Sequence, residues 1–335
     1  MLKYGIIGVG GLGKVHLRNT AQLEREGVEI RLTALCDVEE SRFYEKVKLN
    51  VAEDSEPVDL SAYRLYNDAR EMLDREELDF VITALPTDIH SEIALMALDK
   101  GCHVFSEKPM ARTLEQCRAM AERAKERNKL LMIGQCLRYW PEYRLLKAYI
   151  EDARWGQVLR AEFKRYSSTP LWSWKNWLMD EAKSGGAALD MHVHDVDFIR
   201  WAFGRPKAVS SVALHVKSGY DAILTTYSYD GRLVSSACDW SMAQGFPFDA
   251  SYLVRFEKGT LEMTRNGLKA YPEGGEPFTP ELAGENAYLA EMRDFIRCIQ
   301  NESSLSVVTP DSAALSVELA LAEMESARKG SPVSL

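Results

Sequence analysis

Residues 8–13 read Gly8-Val9-Gly10-Gly11-Leu12-Gly13, a Gly-x-Gly-x-x-Gly pattern directly behind the apolar, β-rich run Leu2–Val9. No other feature of the chain narrows its fold as far. Such triplets occur by chance, and they gain meaning when a strand precedes them and a helix follows. Leu12–Glu26 reads as that helix. Glycine then permits the tight turn, the close approach of backbone to a pyrophosphate, and close packing of helix on strand. The first amides of the helix face the phosphate charge. Gly8, Gly10, Gly11, Leu12 and Gly13 are therefore the expected phosphate cradle. A glycine-rich turn without a ligand is the alternative.

The region 1–135 continues as alternating strand and helix patterns, which implies a parallel sheet with crossover helices. Strands are expected at Ile30–Cys36, Phe80–Leu85, His103–Ser106 and Leu130–Cys136. Helices are expected at Ser41–Leu49, Asp68–Arg75, Asp88–Lys100 and Thr113–Asn128. From residue 136 the composition changes. Pro141–Asp152 reads as helix. Period-two runs follow at Gln157–Ser168, Ala208–Lys217, Ala222–Tyr229, Leu233–Ser241 and Ser251–Met263, broken by turns such as Asp230-Gly231 and Lys258-Gly259. They imply a mostly antiparallel sheet. Helical patterns at Ala188–Phe203, Glu285–Ile299 and Asp311–Arg328 accompany them. The expected division is 1–135 and 136–335, which suits a chain of 335 residues.

Formal net charge is −9, so a general affinity for nucleic acid is not expected. No apolar run approaches membrane-spanning length, and the first residues lack signal-peptide anatomy. The cysteines, Cys36, Cys102, Cys117, Cys136, Cys238 and Cys298, show no C-x-x-C spacing. They read as buried reduced thiols of a cytoplasmic protein rather than as a zinc cluster.

Asp37 ends the second expected strand, 24 residues after Gly13. An acid there accepts from the adenosine ribose hydroxyls and repels a 2′-phosphate, so NAD is expected over NADP. Arg42 nearby leaves NADP open. Glu107-Lys108-Pro109 follows another strand, which brings Lys108 out at the ligand edge of the sheet. Its ammonium suits polarising a reacting oxygen, and burial beside a cationic nicotinamide would lower its pKa. A surface lysine paired with Glu107 is the alternative. Asp190 and His194 stand four apart at a helix start and so share one face. His194 suits a general base that takes an alcohol proton as hydride leaves the neighbouring carbon. Asp190 suits a group that holds the substrate hydroxyl or tunes His194. His192 diverges from His194 by about 200° on a helix. It reads as a core or capping residue in preference to a second substrate contact, and no metal site is expected. Arg138, Tyr139, Trp172, Trp174 and Trp177 could shape a substrate pocket, since aromatic faces suit the C–H faces of sugars. Taken singly, each tryptophan fits a core position between the domains better than a pocket.

Taken in order, these stretches resemble the glucose-fructose oxidoreductase / inositol dehydrogenase family, Gfo/Idh/MocA. Matching segments include Gly8–His16, Leu85-Pro86-Thr87-Asp88-Ile89-His90, Glu107-Lys108-Pro109, Ser184 through His194, and Thr309–Ala313. The resemblance implies an N-terminal Rossmann dinucleotide-binding domain plus a C-terminal α+β domain with a large, mostly antiparallel open sheet. It implies that Leu85, Pro86, His90, Glu107 and Lys108 lie along the cofactor. Lys108, Asp190 and His194 would be catalytic, with Arg138 and Trp177 beside Asp190 and His194 at the substrate. Either Lys108 or His194 would accept the proton. The implied reaction is hydride transfer between NAD and a secondary alcohol of a sugar, inositol or small polyol. A glycosidase using NAD as a transient hydride relay and a non-catalytic metabolite sensor are the alternatives. A homodimer or homotetramer through the C-terminal sheet is expected.

Overall fold

The computed structural model describes residues 1–44, 48–49, 52–53 and 60–335. They divide into two compact units. The first holds Met1–Gln135 and Asn286–Ala314, the second Cys136–Glu285 and Leu315–Leu335.

Along the first unit run β1 (Leu2–Ile7), α1 (Gly11–Arg25), β2 (Ile30–Cys36), a short ribbon of β3 (Lys48–Leu49) and β4 (Ala52–Glu53), β5 (Arg64–Tyr66), α2 (Ala69–Arg75), β6 (Phe80–Thr83), α3 (His90–Asp99), β7 (His103–Ser106), α4 (Leu114–Glu126) and β8 (Leu131–Ile133). Six of these strands form one sheet in the order β5-β2-β1-β6-β7-β8, parallel throughout. The order reverses beside β1, and ligands of open α/β sheets bind at such a switch point, beyond the carboxyl ends of the strands. All residues of β6 and β8 are buried, as strands covered on both faces should be. Local signals set the helices. Asp68 caps α2 by accepting from the Glu71 amide at 2.7 Å. Thr113 and Gln116 form a capping box at the start of α4.

The second unit contains α5 (Pro141–Glu151), β9 (Val158–Ser168), α6 (Glu181–Ser184), α7 (Gly186–Asp190), α8 (Val193–Phe203), β10 (Ala208–His215), β11 (Tyr220–Tyr229), β12 (Arg232–Met242), β13 (Asp249–Phe256), β14 (Gly259–Thr264) and β15 (Gly267–Pro272). After α9 (Ala287–Gln300), which belongs to the first unit, come α10 (Pro310–Lys329) and β16 (Val333–Ser334). The eight-stranded sheet runs β15-β14-β13-β9-β12-β11-β10-β16, and only β12 and β9 pair in parallel. Its strands alternate buried and exposed residues. One face packs against helices through aromatic pairs such as Tyr252–Tyr143, with centroids 5.4 Å apart, and Phe163–Phe198 at 5.6 Å. On the other face Val212, Leu214, Leu224 and Leu233 are between 49 and 71 % exposed.

Four expectations differ from this structure. Among the described residues of Ser41–Leu49, Ser41–Phe43 belong to a 3-10 segment, Glu40–Phe43, without a side-chain cap, and Lys48–Leu49 pairs as strand. Residues 45–47 lie outside the described residues. Ala188–Phe203 is two helices rather than one. The Met191 amide bonds Ala187 O at 3.2 Å and the His192 amide bonds the same oxygen at 2.9 Å. The spiral thus widens by one residue, a π-type turn. Strands Arg64–Tyr66, Gly267–Pro272 and Val333–Ser334 are additional. Finally, Asn286–Ala314 folds with the first unit, because α9 lays Phe295 edge-on to Phe80 and Phe105, at 5.8 Å from each.

Candidate active site

Strand register brings the expected nucleotide residues of the first unit to one edge. Ile7 pairs with Cys36 and with Thr83, and Thr83 pairs with Ser106. The residues that follow each strand, Gly8, Asp37, Ala84-Leu85-Pro86 and Glu107-Lys108, therefore emerge side by side. Each strand is extended by one further bond: Gly8 N to Cys36 O, Ala84 N to Ile7 O, and Glu107 N to Thr83 O, at 2.8–2.9 Å.

The glycine turn is built by exclusion. Gly8 has φ +90°, and a Cβ there would lie 2.3 Å from Ala84 O. A Cβ at Gly13 would lie 1.9 Å from Gly8 O. Gly10 differs, since among the described residues no neighbour approaches within 4 Å of where its Cβ would stand. It caps α1 without a side-chain hydrogen bond, and the first turn of α1 carries no acid. That leaves amides without intrahelical acceptors beside open space, which suits a phosphate group. Asp37 braces the turn, its carboxylate accepting from Val9 N at 2.8 Å and Glu39 N at 3.0 Å. Burial pushes its carboxyl up from the usual range, while the Glu39 and Val9 amides pull it back.

Lys108 is half-buried, and its peptide to Pro109 is cis. Two expected cofactor contacts behind it are placed differently. Glu107 is 4 % exposed and points inward, accepting from His16 Nε2 at 2.7 Å and from the Lys108 amide at 3.2 Å. His90 is fully buried at the start of α3. Its Nδ1 lies 2.8 Å from Pro109 O and its Nε2 2.8 Å from Leu85 O. Burial lowers its pKa, and the two carbonyls oppose that shift. With both ring nitrogens on backbone carbonyls, His90 ties the Leu85-Pro86 turn to the Lys108-Pro109 turn. Leu85 and Pro86 themselves are half-buried.

In the second unit the run from Ser184 to Ile199 is buried except at two residues, Asp190 and His194. The other ionisable groups of the run are engaged in the interior. His192 Nε2 meets Glu323 Oε2 at 2.8 Å, which makes it a core residue. Asp195 receives Arg165, and Asp197 receives Arg138 in a two-bond pair at 2.7 and 2.8 Å. Arg138, expected at the substrate, is 2 % exposed, so its guanidinium serves this interior pair. Cys136 Sγ lies 3.9 Å from His194 Nδ1. Asp190 and His194 flank the widened turn rather than one regular helix. Trp172 is 51 % exposed. Trp174 carries the Lys175 ammonium 4.4 Å from its ring centroid. Trp177 is half-buried against the core of Leu178, Ala187, Ala188 and Trp240.

Comparison with known proteins places this arrangement. Residues 2–135 match the model of the oxidoreductase family with NAD-binding Rossmann fold, and residues 143–262 match the GFO/IDH/MocA C-terminal domain. The chain is 30 % identical to a myo-inositol 2-dehydrogenase of Thermotoga maritima, over 86 % of this chain and 93 % of that protein. The chain belongs to the Gfo/Idh/MocA oxidoreductase family. Its 28 % identity to the inositol 2-dehydrogenase of Salmonella typhimurium covers 60 % of this chain and 54 % of that enzyme's length. A levoglucosan dehydrogenase structure, complexed with NADH and levoglucosan, shares the fold at a TM-score of 0.83 and 21 % identity, covering 99 % of each chain. Within this Gfo/Idh/MocA chain all six cysteines are buried thiols. Burial pushes the thiols of Cys36 and Cys117 up to about 12 and that of Cys102 up to about 11. Among the described residues no helix is long and apolar enough to cross a membrane.

Proposed function

We propose that this protein is an NAD-dependent dehydrogenase of a secondary alcohol carbon in a sugar, inositol or related small polyol. The observation that carries the reading is the shared edge of Gly8–Gly13, Asp37, Leu85-Pro86 and Lys108 at the switch point of the parallel sheet. Gly10 and the α1 amides suit the pyrophosphate. Asp37 suits the ribose hydroxyls and disfavours a 2′-phosphate, which favours NAD. Bound NAD would supply the hydride acceptor. Lys108 polarises the reacting oxygen. His194 takes the alcohol proton, and Asp190 holds the substrate hydroxyl or orients His194. Asp190 and His194 as the two partly exposed side chains of a buried run support that assignment. The inositol and levoglucosan dehydrogenases among its relatives support the substrate class.

The exposed aliphatic row of Val212, Leu214, Leu224 and Leu233 suits burial against a second copy, so we assign a homo-oligomer through the C-terminal sheet. Buried thiols without disulfides suit the cytoplasm. The test is NADH formation from NAD across a panel of inositols, aldoses and aminosugars, run beside Lys108→Ala. Signal with one substrate class, lost in the variant, supports the reading. Tight NAD binding with no NADH from any substrate refutes it in favour of a hydride-relay glycosidase or a sensor.

A further inference from the structure

Three ionisable side chains converge inside the first unit: His16 on α1, Glu107 after β7 and Glu291 on α9. One atom from each lies within 4.8 Å of the others, and their exposures are 0, 4 and 0 %. Glu107 is satisfied by His16 Nε2 and the Lys108 amide. Glu291 is not. Among the described residues neither of its carboxyl oxygens has a hydrogen-bond partner, and His16 Nδ1 also lacks one. Aromatic rings and close backbone flank His16 and Glu107. The His16 ring meets Phe105 edge-on at 5.1 Å and Tyr288 at 6.5 Å. A Cβ at Gly134 would come within 3.2 Å of the Glu107 carboxylate.

A dry, fully buried carboxylate without a donor is far more costly than the neutral acid. The titratable groups facing Glu291 are Glu107 from the β7 turn and His16 from α1. On its own helix Arg293 turns to Glu26 of α1, and Arg297 pairs with Asp294. Among the described residues the charged neighbour that acts on it is Glu107. Burial first, and then the negative charge of Glu107, push the Glu291 carboxyl well above the usual range.

We propose that Glu291 carries a proton in the folded protein and is a positioning residue for the Glu107-Lys108 turn. As the neutral acid it leaves Glu107 as the cluster's negative charge and packs behind it without repulsion. That fixes the backbone from which Lys108 emerges. The consequence for Lys108 rests on the dehydrogenase reading; the proton itself does not.

The sign of the linkage is definite. An acid whose folded pKa is raised contributes stability that is present below its unfolded pKa and is lost as pH rises toward its folded one. Urea unfolding of the full chain and of Glu291→Gln, without cofactor, is compared from about pH 5 to about pH 8.5. The folded-to-unfolded ratio of the wild type should fall relative to the variant by about tenfold per pH unit while the proton is retained. A gap that does not change with pH overturns the proposal. So does stabilisation of the wild type, but not of Glu291→Gln, by added Mn²⁺ or Zn²⁺, which would make the cluster a metal site. In turnover, Glu291→Gln should keep kcat within about twofold. Glu291→Leu should lower kcat by up to about 10²-fold with little change in the KM for NAD, as a displaced catalytic group does. Equal loss in both variants refutes the positioning role. Absence of turnover in the wild type refutes the dehydrogenase reading, and the pH slope still decides the protonation of Glu291.

Discussion

Arg138→Met gives the sharpest separation between an interior role and a substrate contact. Arg138 donates from Nε and Nη2 to the two oxygens of Asp197, at 2.8 and 2.7 Å. The two side chains are 2 and 1 % exposed. Asp197 also accepts from the Ser316 hydroxyl at 2.7 Å, and the guanidinium carbon lies 5.8 Å from the Trp201 ring centroid. Replacing Arg138 leaves a buried carboxylate with one neutral donor. Breaking one side of a buried ion pair costs about 3–5 kcal/mol. At about 1.4 kcal/mol per decade, the folded-to-unfolded ratio should fall by roughly two to nearly four orders of magnitude. Arg138→Met/Asp197→Asn removes both charges and should recover most of that loss. Urea unfolding followed by tryptophan fluorescence reads the difference as a lower midpoint at unchanged slope. A single variant within about 0.5 kcal/mol of wild type, with a raised substrate KM, would refute this reasoning and return Arg138 to the substrate.

Lys108→Ala and His194→Ala should each cut turnover by about 10²–10⁴-fold with NAD affinity retained, read by steady-state kinetics and calorimetry; full activity in both would sink the assignment. Asp37→Ser should weaken NAD and narrow its preference over NADP by roughly tenfold or more, measured by titration with both dinucleotides. Because burial raises the Asp37 carboxyl, wild-type NAD affinity should fail on acidification earlier than an ordinary aspartate would dictate. Burial brings the His103 imidazole down to about 4, and its Nδ1 accepts from the Leu130 amide at 2.9 Å. Its contribution to stability is therefore present above the unfolded pKa near 6.5 and is lost as pH falls toward 4. His103→Gln should flatten that acid limb of the stability profile. Gly13→Ala, with its Cβ 1.9 Å from Gly8 O, should abolish NAD binding or folding of the first unit, as seen by circular dichroism and titration.

Period and punctuation made much of the fold legible. Ile30–Cys36 and His103–Ser106 match their strands residue for residue, because buried parallel strands are short apolar runs with sharp ends. What sequence reading missed depends on distant partners. Nothing near Glu107 or His90 announces that their side chains turn inward to His16 and to two carbonyls. Arg138 looked like a pocket residue because its partner Asp197 stands 59 positions away. At the break in Ala188–Phe203, His192 meets Glu323 across 131 positions, a contact that local helix propensity cannot register. One signal was present: Asp195 and Asp197 stand among the apolar Val193, Val196, Phe198 and Ile199 of one helix, and a buried carboxylate that keeps its charge needs a cation.

The first unit is discontinuous in the chain: Asn286–Ala314 completes what Met1–Gln135 begins. During synthesis the nucleotide half must wait for roughly 150 intervening residues, about ten to thirty seconds at common elongation rates. Until α9 arrives, the sides of Phe80 and Phe105 that Phe295 covers lack that cover, and the His16–Glu107 pair lacks Glu291. A nascent chain halted in the second unit would thus hold a complete parallel sheet with an unsealed flank. Such a chain is a natural client for a chaperone, and the order of translation becomes part of how this nucleotide site is made.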